Sequence, residues 1–213
     1  MKKSILAIAV AATMAAPAAM AAPTVYGNIH LSIIDFDSKD DLDMNSNTSA
    51  IGVKGSEDLG DGMKAIYKME FQVDPSDGGS KGIALDKNGD PEETTTGNAL
   101  TNRDQFVGLK GGMGTIKFGT MSSNYKQKGG KVDSLYRTPV EGRGMIHTQS
   151  KLHKGRGTTS GRSTNTVQYS SPKMGGIQLV ANTTFSNSED ETMGVGVRYE
   201  TKGIMAYVDM IDQ

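Results

Sequence analysis

Charged side chains crowd the segments between the hydrophobic stretches of this sequence, and they are the first candidates for a functional role. Segment 121–162 has nine basic residues against two acids, Asp133 and Glu141. The nine are Lys126, Lys128, Lys131, Arg137, Arg143, Lys151, Lys154, Arg156 and Arg162. Such an excess raises the local concentration of anions if it lines a water-filled passage. The alternative is a solvated loop surface.

Two earlier segments carry the opposite charge. Their acids are Asp35, Asp37, Asp40, Asp41 and Asp43 in the first, and Asp74, Asp77, Asp86, Asp90, Glu92 and Glu93 in the second. Crowded carboxylates can bind Ca²⁺ or Mg²⁺, but the stretch DKNGDPEE has Pro91 where a calcium loop needs glycine and Gly97 where it needs glutamate. Solvated loops are favoured over a metal site, and no metal or other cofactor is expected.

Three histidines, His30, His147 and His153, are the side chains suited to acid–base chemistry near neutral pH. His147 and His153 lie six residues apart with no third ligand nearby, which is poor spacing for zinc. The serines around them lack the sequence context of a catalytic nucleophile. The sequence therefore predicts exposed loop histidines and no enzymatic activity.

The elements between these charged segments are β-strands. In residues 63–72, Met63, Ala65, Tyr67, Met69 and Phe71 alternate with Lys64, Lys68, Glu70 and Gln72, and only Ile66 breaks the pattern. A period of two predicts a strand with one apolar and one polar face. Nine such strands are predicted, at about 24–36, 47–57, 62–74, 101–110, 114–121, 162–171, 176–186, 192–201 and 203–211. Helical periodicity is absent after the N-terminal segment, so the chain is expected to be all-β.

The connections between these strands alternate in length. Short ones lie at 58–61, 111–113, 172–175 and around Lys202, whereas longer ones occupy 37–46, 75–100, 122–161 and 187–191. A meander that crosses a bilayer repeatedly produces short turns on one side and loops on the other. The pattern therefore predicts an antiparallel up-and-down transmembrane β-barrel with its apolar face toward lipid. A soluble secreted β-sandwich is the alternative.

The N terminus and the composition agree with export. Lys2 and Lys3 precede an apolar stretch and the cleavage motif Ala19-Met20-Ala21, so residues 1–21 are predicted to be a secretory signal peptide. The chain has no cysteine, so no disulfide framework is available. A net charge of −1 argues against nucleic-acid binding.

Four sequence blocks resemble the general trimeric porins of Gram-negative outer membranes. They are TVYGNIHLSI, SAIGVKGSEDLGDGMKAIYKMEF, NRDQFVGLKGGMGTIKFGT and GRSTNTVQYSSPKMGGIQLVANTTF, and in this order they span nearly all of residues 22–213. The resemblance implies a sixteen-stranded barrel, a homotrimer, and a third loop that folds inward to narrow the pore. About nine of the sixteen strands would be present, so residues 22–213 are interpreted as the N-terminal part of such a barrel, with 121–161 as the candidate constriction loop.

The resemblance also implies which side chains line the pore. Arg103, in NRDQFVGL, matches a basic position on the family's barrel wall, and Arg162, in GRSTNTVQY, matches a second. Asp133 and Glu141 would be the loop acids that oppose them. Strand alternation adds Lys64, Lys68 and Arg198 as further wall candidates. A mildly anion-preferring pore is the resulting hypothesis.

The expected function is passive diffusion of ions and small hydrophilic solutes through a water-filled outer-membrane pore. The expected surroundings are outer-membrane lipid and lipopolysaccharide, whose phosphates are alternative contacts for the basic segment 121–162. A non-channel surface barrel or adhesin that binds ions or glycans through its charged loops is the second hypothesis.

Overall fold

A computed structural model describes residues 22–35, 42–76, 80–85, 91–96, 100–138, 162–185 and 193–212. The strands in these ranges are β1 (Thr24–Asn28), β2 (Leu31–Ile34), β3 (Asp43–Ser46), β4 (Ala50–Gly60), β5 (Met63–Gln72), β6 (Ser80–Leu85), β7 (Pro91–Thr96), β8 (Thr101–Gly111), β9 (Gly114–Ser122), β10 (Arg162–Ser170), β11 (Ile177–Thr184), β12 (Met193–Thr201) and β13 (Ile204–Asp212). A helix, α1 (Asn124–Val132), lies between β9 and β10.

Nine of these strands form one antiparallel sheet in the order β1-β4-β5-β8-β9-β10-β11-β12-β13. Each strand pairs with the one that follows it in this series, which is up-and-down topology, and β1 and β13 lie at the two edges of an open sheet. The nine predicted strands and the all-β antiparallel class are confirmed. The open sheet is consistent with an incomplete barrel.

Three details differ from the sequence prediction. The first predicted strand is interrupted at Ile29 and His30, because the backbone of His30 bonds instead to the Ser49 hydroxyl and to the Asn47 N–H. The segment 75–100, taken as a loop, contains the hairpin β6–β7, and the segment 37–46 contains β3, which pairs with β2 at the end of the first predicted strand. The expected absence of helices is wrong at α1, where the Ser123 hydroxyl caps the first turn by accepting from Lys126 N at 3.3 Å.

The sheet is polar on one face and apolar on the other, and the polar face is the buried one. Arg103 is 5% exposed and Gln168 only 1%, whereas Val107 is 54% exposed and Leu179 48%. A water-soluble sheet has the reverse distribution, with its apolar side chains inside. An outward apolar face and an inward polar one are typical of a membrane barrel. The described residues contain no helix with the length and hydropathy needed to cross a membrane.

The inserted elements lie at the opposite end of the sheet from the short turns. The turns after β4, β8 and β12 use residues 61–62, 112–113 and 202–203. Hairpins β2–β3 and β6–β7 and helix α1 follow β1, β5 and β9, and these three strands run antiparallel to β4, β8 and β12. The sheet therefore presents α1 at its loop end, where the helix can turn back over the polar face.

Candidate functional site

A β-bulge brings two opposite charges onto the polar face. Between β5 and β8 the register runs Met69↔Gln105 and then Phe71↔Asn102, so Arg103 and Asp104 together oppose the single residue Glu70. A bulge of this kind redirects a side chain that regular alternation would send to the other face. As a result, the adjacent residues Arg103 and Asp104 both have partners on the polar face: Arg103 donates to Glu70, and Asp104 accepts from Ser122.

Five charged side chains form a continuous cluster, which we call the wall network: Lys68, Glu70, Arg103, Asp104 and Arg162. Arg103 Nε lies 2.7 Å from Glu70 Oε1, and Arg162 Nε lies 2.9 Å from Asp104 Oδ1. Lys68 Nζ joins the two pairs, at 3.0 Å from Glu70 Oε2 and 3.4 Å from Asp104 Oδ2. These residues come from three strands, β5, β8 and β10, and β9 lies between the last two.

Neutral side chains fix the orientation of the wall network. The Tyr26 hydroxyl donates to Glu70 Oε2 at 2.8 Å, and Arg103 Nη1 donates to Gln72 Oε1 at 3.2 Å. Asp104 Oδ1 also accepts from the backbone N–H and the hydroxyl of Ser122. Both carboxylates therefore have several donors, which holds them in one position on the wall.

A second cluster attaches α1 to the polar face. Gln168 on β10 accepts from Lys117 Nζ and from Gln127 Nε2, each at 3.0 Å, and donates to Asn124 Oδ1 at 3.0 Å. Arg198 on β12 donates to the Asn124 carbonyl at 3.1 Å and to Gln127 Oε1 at 3.4 Å. The first half of α1 is thus held by polar contacts with two strands.

The second half of α1 is held by charge. Glu200 on β12 accepts from Lys128 Nζ at 2.8 Å, from Lys173 Nζ at 3.1 Å and from Lys131 Nζ at 3.4 Å. Lys128 is buried, whereas the other two ammonium groups are more than half exposed. One carboxylate therefore serves three lysines, two of them on the helix.

The predicted wall residues fall into three locations. Arg103, Arg162 and Lys68 are together in the wall network. Arg198 lies beneath α1, buried against the helix. Lys64 is exposed near the β4–β5 turn, in register with Asp58 and Lys110.

The two predicted loop acids lie farther along the chain from α1. Asp133 follows the last turn of the helix, and its Oδ1 accepts from Leu135 N at 3.0 Å. Glu141 lies outside the described residues, as do His147, His153 and residues 1–21. Within the described ranges, Glu70 contacts Arg103 and Asp104 contacts Arg162.

Sequence reasoning did not single out Glu70, Asp104, Gln168 or Glu200. Alternation already put Glu70 on the polar face with Lys68, so that residue could have been found. Asp104 follows Arg103 directly, and regular alternation would send the two side chains to opposite faces. Only the bulge in the structure shows that Asp104 is also on the polar face. The described residues contain no cluster of three or more histidine, cysteine, aspartate or glutamate side chains that could hold a metal ion.

The chain is similar to known outer-membrane proteins along most of its length. The Gram-negative porin family model matches residues 7–210. The major outer membrane protein P.IB of Neisseria gonorrhoeae is 30% identical over 220 residues, which cover 97% of this chain and 56% of that protein. Outer membrane porin protein 32 of Delftia acidovorans is 26% identical over 203 residues, 92% of this chain and 52% of the relative. The chain thus spans about half the length of these relatives, and the expected outer-membrane location is confirmed.

Solved structures give the same fold. The anion-selective porin from Comamonas acidovorans superimposes with a TM-score of 0.69 at 19% identity, covering 90% of this chain and 57% of that one. The trimer form of OmpT, an outer membrane protein of Vibrio cholerae, gives 0.60 at 16% identity, covering 90% and 51%. As a family, porins are channels and not enzymes. The match along residues 7–210, together with the polar inner and apolar outer faces, means that this chain belongs to the Gram-negative porin family.

Proposed function

We propose that this protein acts as a diffusion porin, which lets ions and small hydrophilic solutes pass the outer membrane through a water-filled barrel. The observation that carries the proposal is the charged, inward face of the nine-stranded sheet opposite an exposed apolar face. Lipid cannot solvate such charges, whereas an aqueous lumen can. The interior of a plugged surface barrel is also polar, so the choice of a channel over an adhesin is supported by the match to the porin family.

The proposed pore prefers anions mildly. The polar face and α1 carry more bases than acids: Lys54, Lys64, Lys68, Arg103, Lys110, Lys117, Lys126, Lys128, Lys131, Arg162 and Arg198 against Asp58, Glu70, Asp104, Glu200 and Asp209. A positive excess on a lumen wall concentrates anions. The similar fold of a porin described as anion-selective supports the same preference.

Segment 121–161 is the proposed constriction of this passage. Helix α1, which follows β9 within this segment, lies against the polar face through Gln168, Arg198 and Glu200, and this position supports an inward fold. Asp133 and Glu141 are proposed as acids of the constriction. Arg103, Arg162, Lys64 and Lys68 are proposed as wall charges.

The proposed assembly is a homotrimer embedded in outer-membrane lipid and lipopolysaccharide. The trimer form of a structurally similar outer membrane protein, OmpT, supports this stoichiometry. The proposed mechanism is passage limited by size and biased by wall charge, without cofactor, nucleic acid or covalent chemistry.

The test is conductance of the protein, purified in detergent from its own outer membrane, in a planar bilayer. Stepwise current increases on insertion, with open channels that persist at low voltage, are the expected result. Insertion into the bilayer without any current would contradict the proposal and favour a plugged surface barrel. A bilayer exposed to the same detergent alone is the control.

A further inference from the structure

Each wall arginine is paired with a carboxylate from another strand. Arg103 is paired with Glu70 of β5 at 2.7 Å, and Arg162 of β10 is paired with Asp104 of β8 at 2.9 Å. All four side chains are on the polar face, and each is at most one fifth exposed. The acid of each pair, Glu70 or Asp104, is therefore a residue that the family resemblance did not indicate.

The bulge between β5 and β8 makes this pairing possible. It places Asp104 on the same face as Arg103, between Lys68 on one side and Arg162 on the other. The backbone N–H and hydroxyl of Ser122 hold one oxygen of the Asp104 carboxylate at 3.2 and 3.1 Å. The acid therefore has a fixed position between two cations and cannot turn away from the lumen without losing four contacts.

We infer that Glu70 and Asp104 are specificity-determining residues, which limit the anion preference of the pore by offsetting Lys68, Arg103 and Arg162. The inference rests on the proposed function. Three positive and two negative groups leave the wall network with a small positive excess, and loss of either carboxylate would increase it. A fixed charge on the wall of a narrow aqueous passage sets which ion is enriched there, so these two acids moderate selectivity.

The test is the reversal potential of the reconstituted protein under a KCl gradient, compared with Asp104→Asn and Glu70→Gln variants. Each variant keeps the shape and a hydrogen-bonding oxygen while removing one negative charge. We expect each to raise the chloride-to-potassium permeability ratio by about twofold or more, because the added positive charge lies on the lumen wall. Glu57→Gln is the matched control, since Glu57 shares the face of Ile51 and Val53 and its loss should leave the ratio unchanged.

The outcomes separate this inference from the function on which it rests. An unchanged permeability ratio in conducting variants, even with lower heat stability, would mean that the two acids only hold strands together and would overturn the inference. An equal rise in the Glu57→Gln control would overturn it too, because position on the wall would then be irrelevant. Failure of the unmodified protein to conduct would overturn the proposed function and the inference together.

Discussion

At the scale of single residues, the site depends on polar side chains that are buried yet satisfied. Gln168 is the clearest case, because it is 1% exposed and bonds to Lys117, Gln127 and Asn124. An uncharged amide that both accepts and donates can link the wall to α1 without adding charge to the lumen. Its role follows from three partners on β9 and α1, which no pattern within β10 could indicate.

Replacing Gln168 by leucine should destabilise the folded protein. The change leaves the polar groups of Lys117, Gln127 and Asn124 without this partner, and one unsatisfied buried group costs about 1–3 kcal/mol. The urea midpoint of unfolding in detergent micelles measures the loss. Gln105→Leu is the control, because Gln105 is paired with Asn102 at an exposed site and its loss should change the midpoint little. Equal midpoints for the two variants would contradict the account.

At the scale of elements, strands were predictable and α1 was not. Alternation is a strong signal in β12, where Met193, Val195, Val197 and Tyr199 share the apolar face. Helix α1 has no apolar stripe, since it packs polar side chains against a polar wall, so a search for helical periodicity finds nothing there. Its position is set by partners such as Arg198 and Glu200, which are about 70 residues away in sequence.

The carboxylate of Glu200 should control how firmly α1 is held. In a Glu200→Gln variant, Lys128, Lys131 and Lys173 lose their shared counter-charge, and the buried Lys128 ammonium loses an ion pair. We expect a noisier and larger single-channel current in about 0.1 M KCl, where screening is weak enough to leave this contact important.

The control for this experiment is again Glu57→Gln, which makes the same chemical change on the apolar face. If the current noise of Glu200→Gln equals that of the control and of the unmodified protein, the expectation is wrong. Gln168 and Arg198 would then hold α1 without help from Glu200.

At the scale of the whole molecule, the alternation of short turns and long connections was the most informative feature of the sequence. It predicted the nine-stranded meander and the membrane location, because only closed barrels and helices satisfy backbone groups in lipid. The hairpins β2–β3 and β6–β7 and the bulge at Arg103 and Asp104 were not predictable, since each depends on pairing between segments. The sixteen-strand total and the roles of Asp133 and Glu141 stay predictions.

The central claim is that the polar face lines the conducting passage, and substituted-cysteine labelling tests it most directly. The chain has no native cysteine, so Asn182→Cys on the polar face and Ala181→Cys on the apolar face each introduce one thiol. A bulky, negatively charged, membrane-impermeant thiol reagent should reduce the single-channel current of Asn182→Cys and leave that of Ala181→Cys unchanged. Reduction in Ala181→Cys but not in Asn182→Cys would contradict the account.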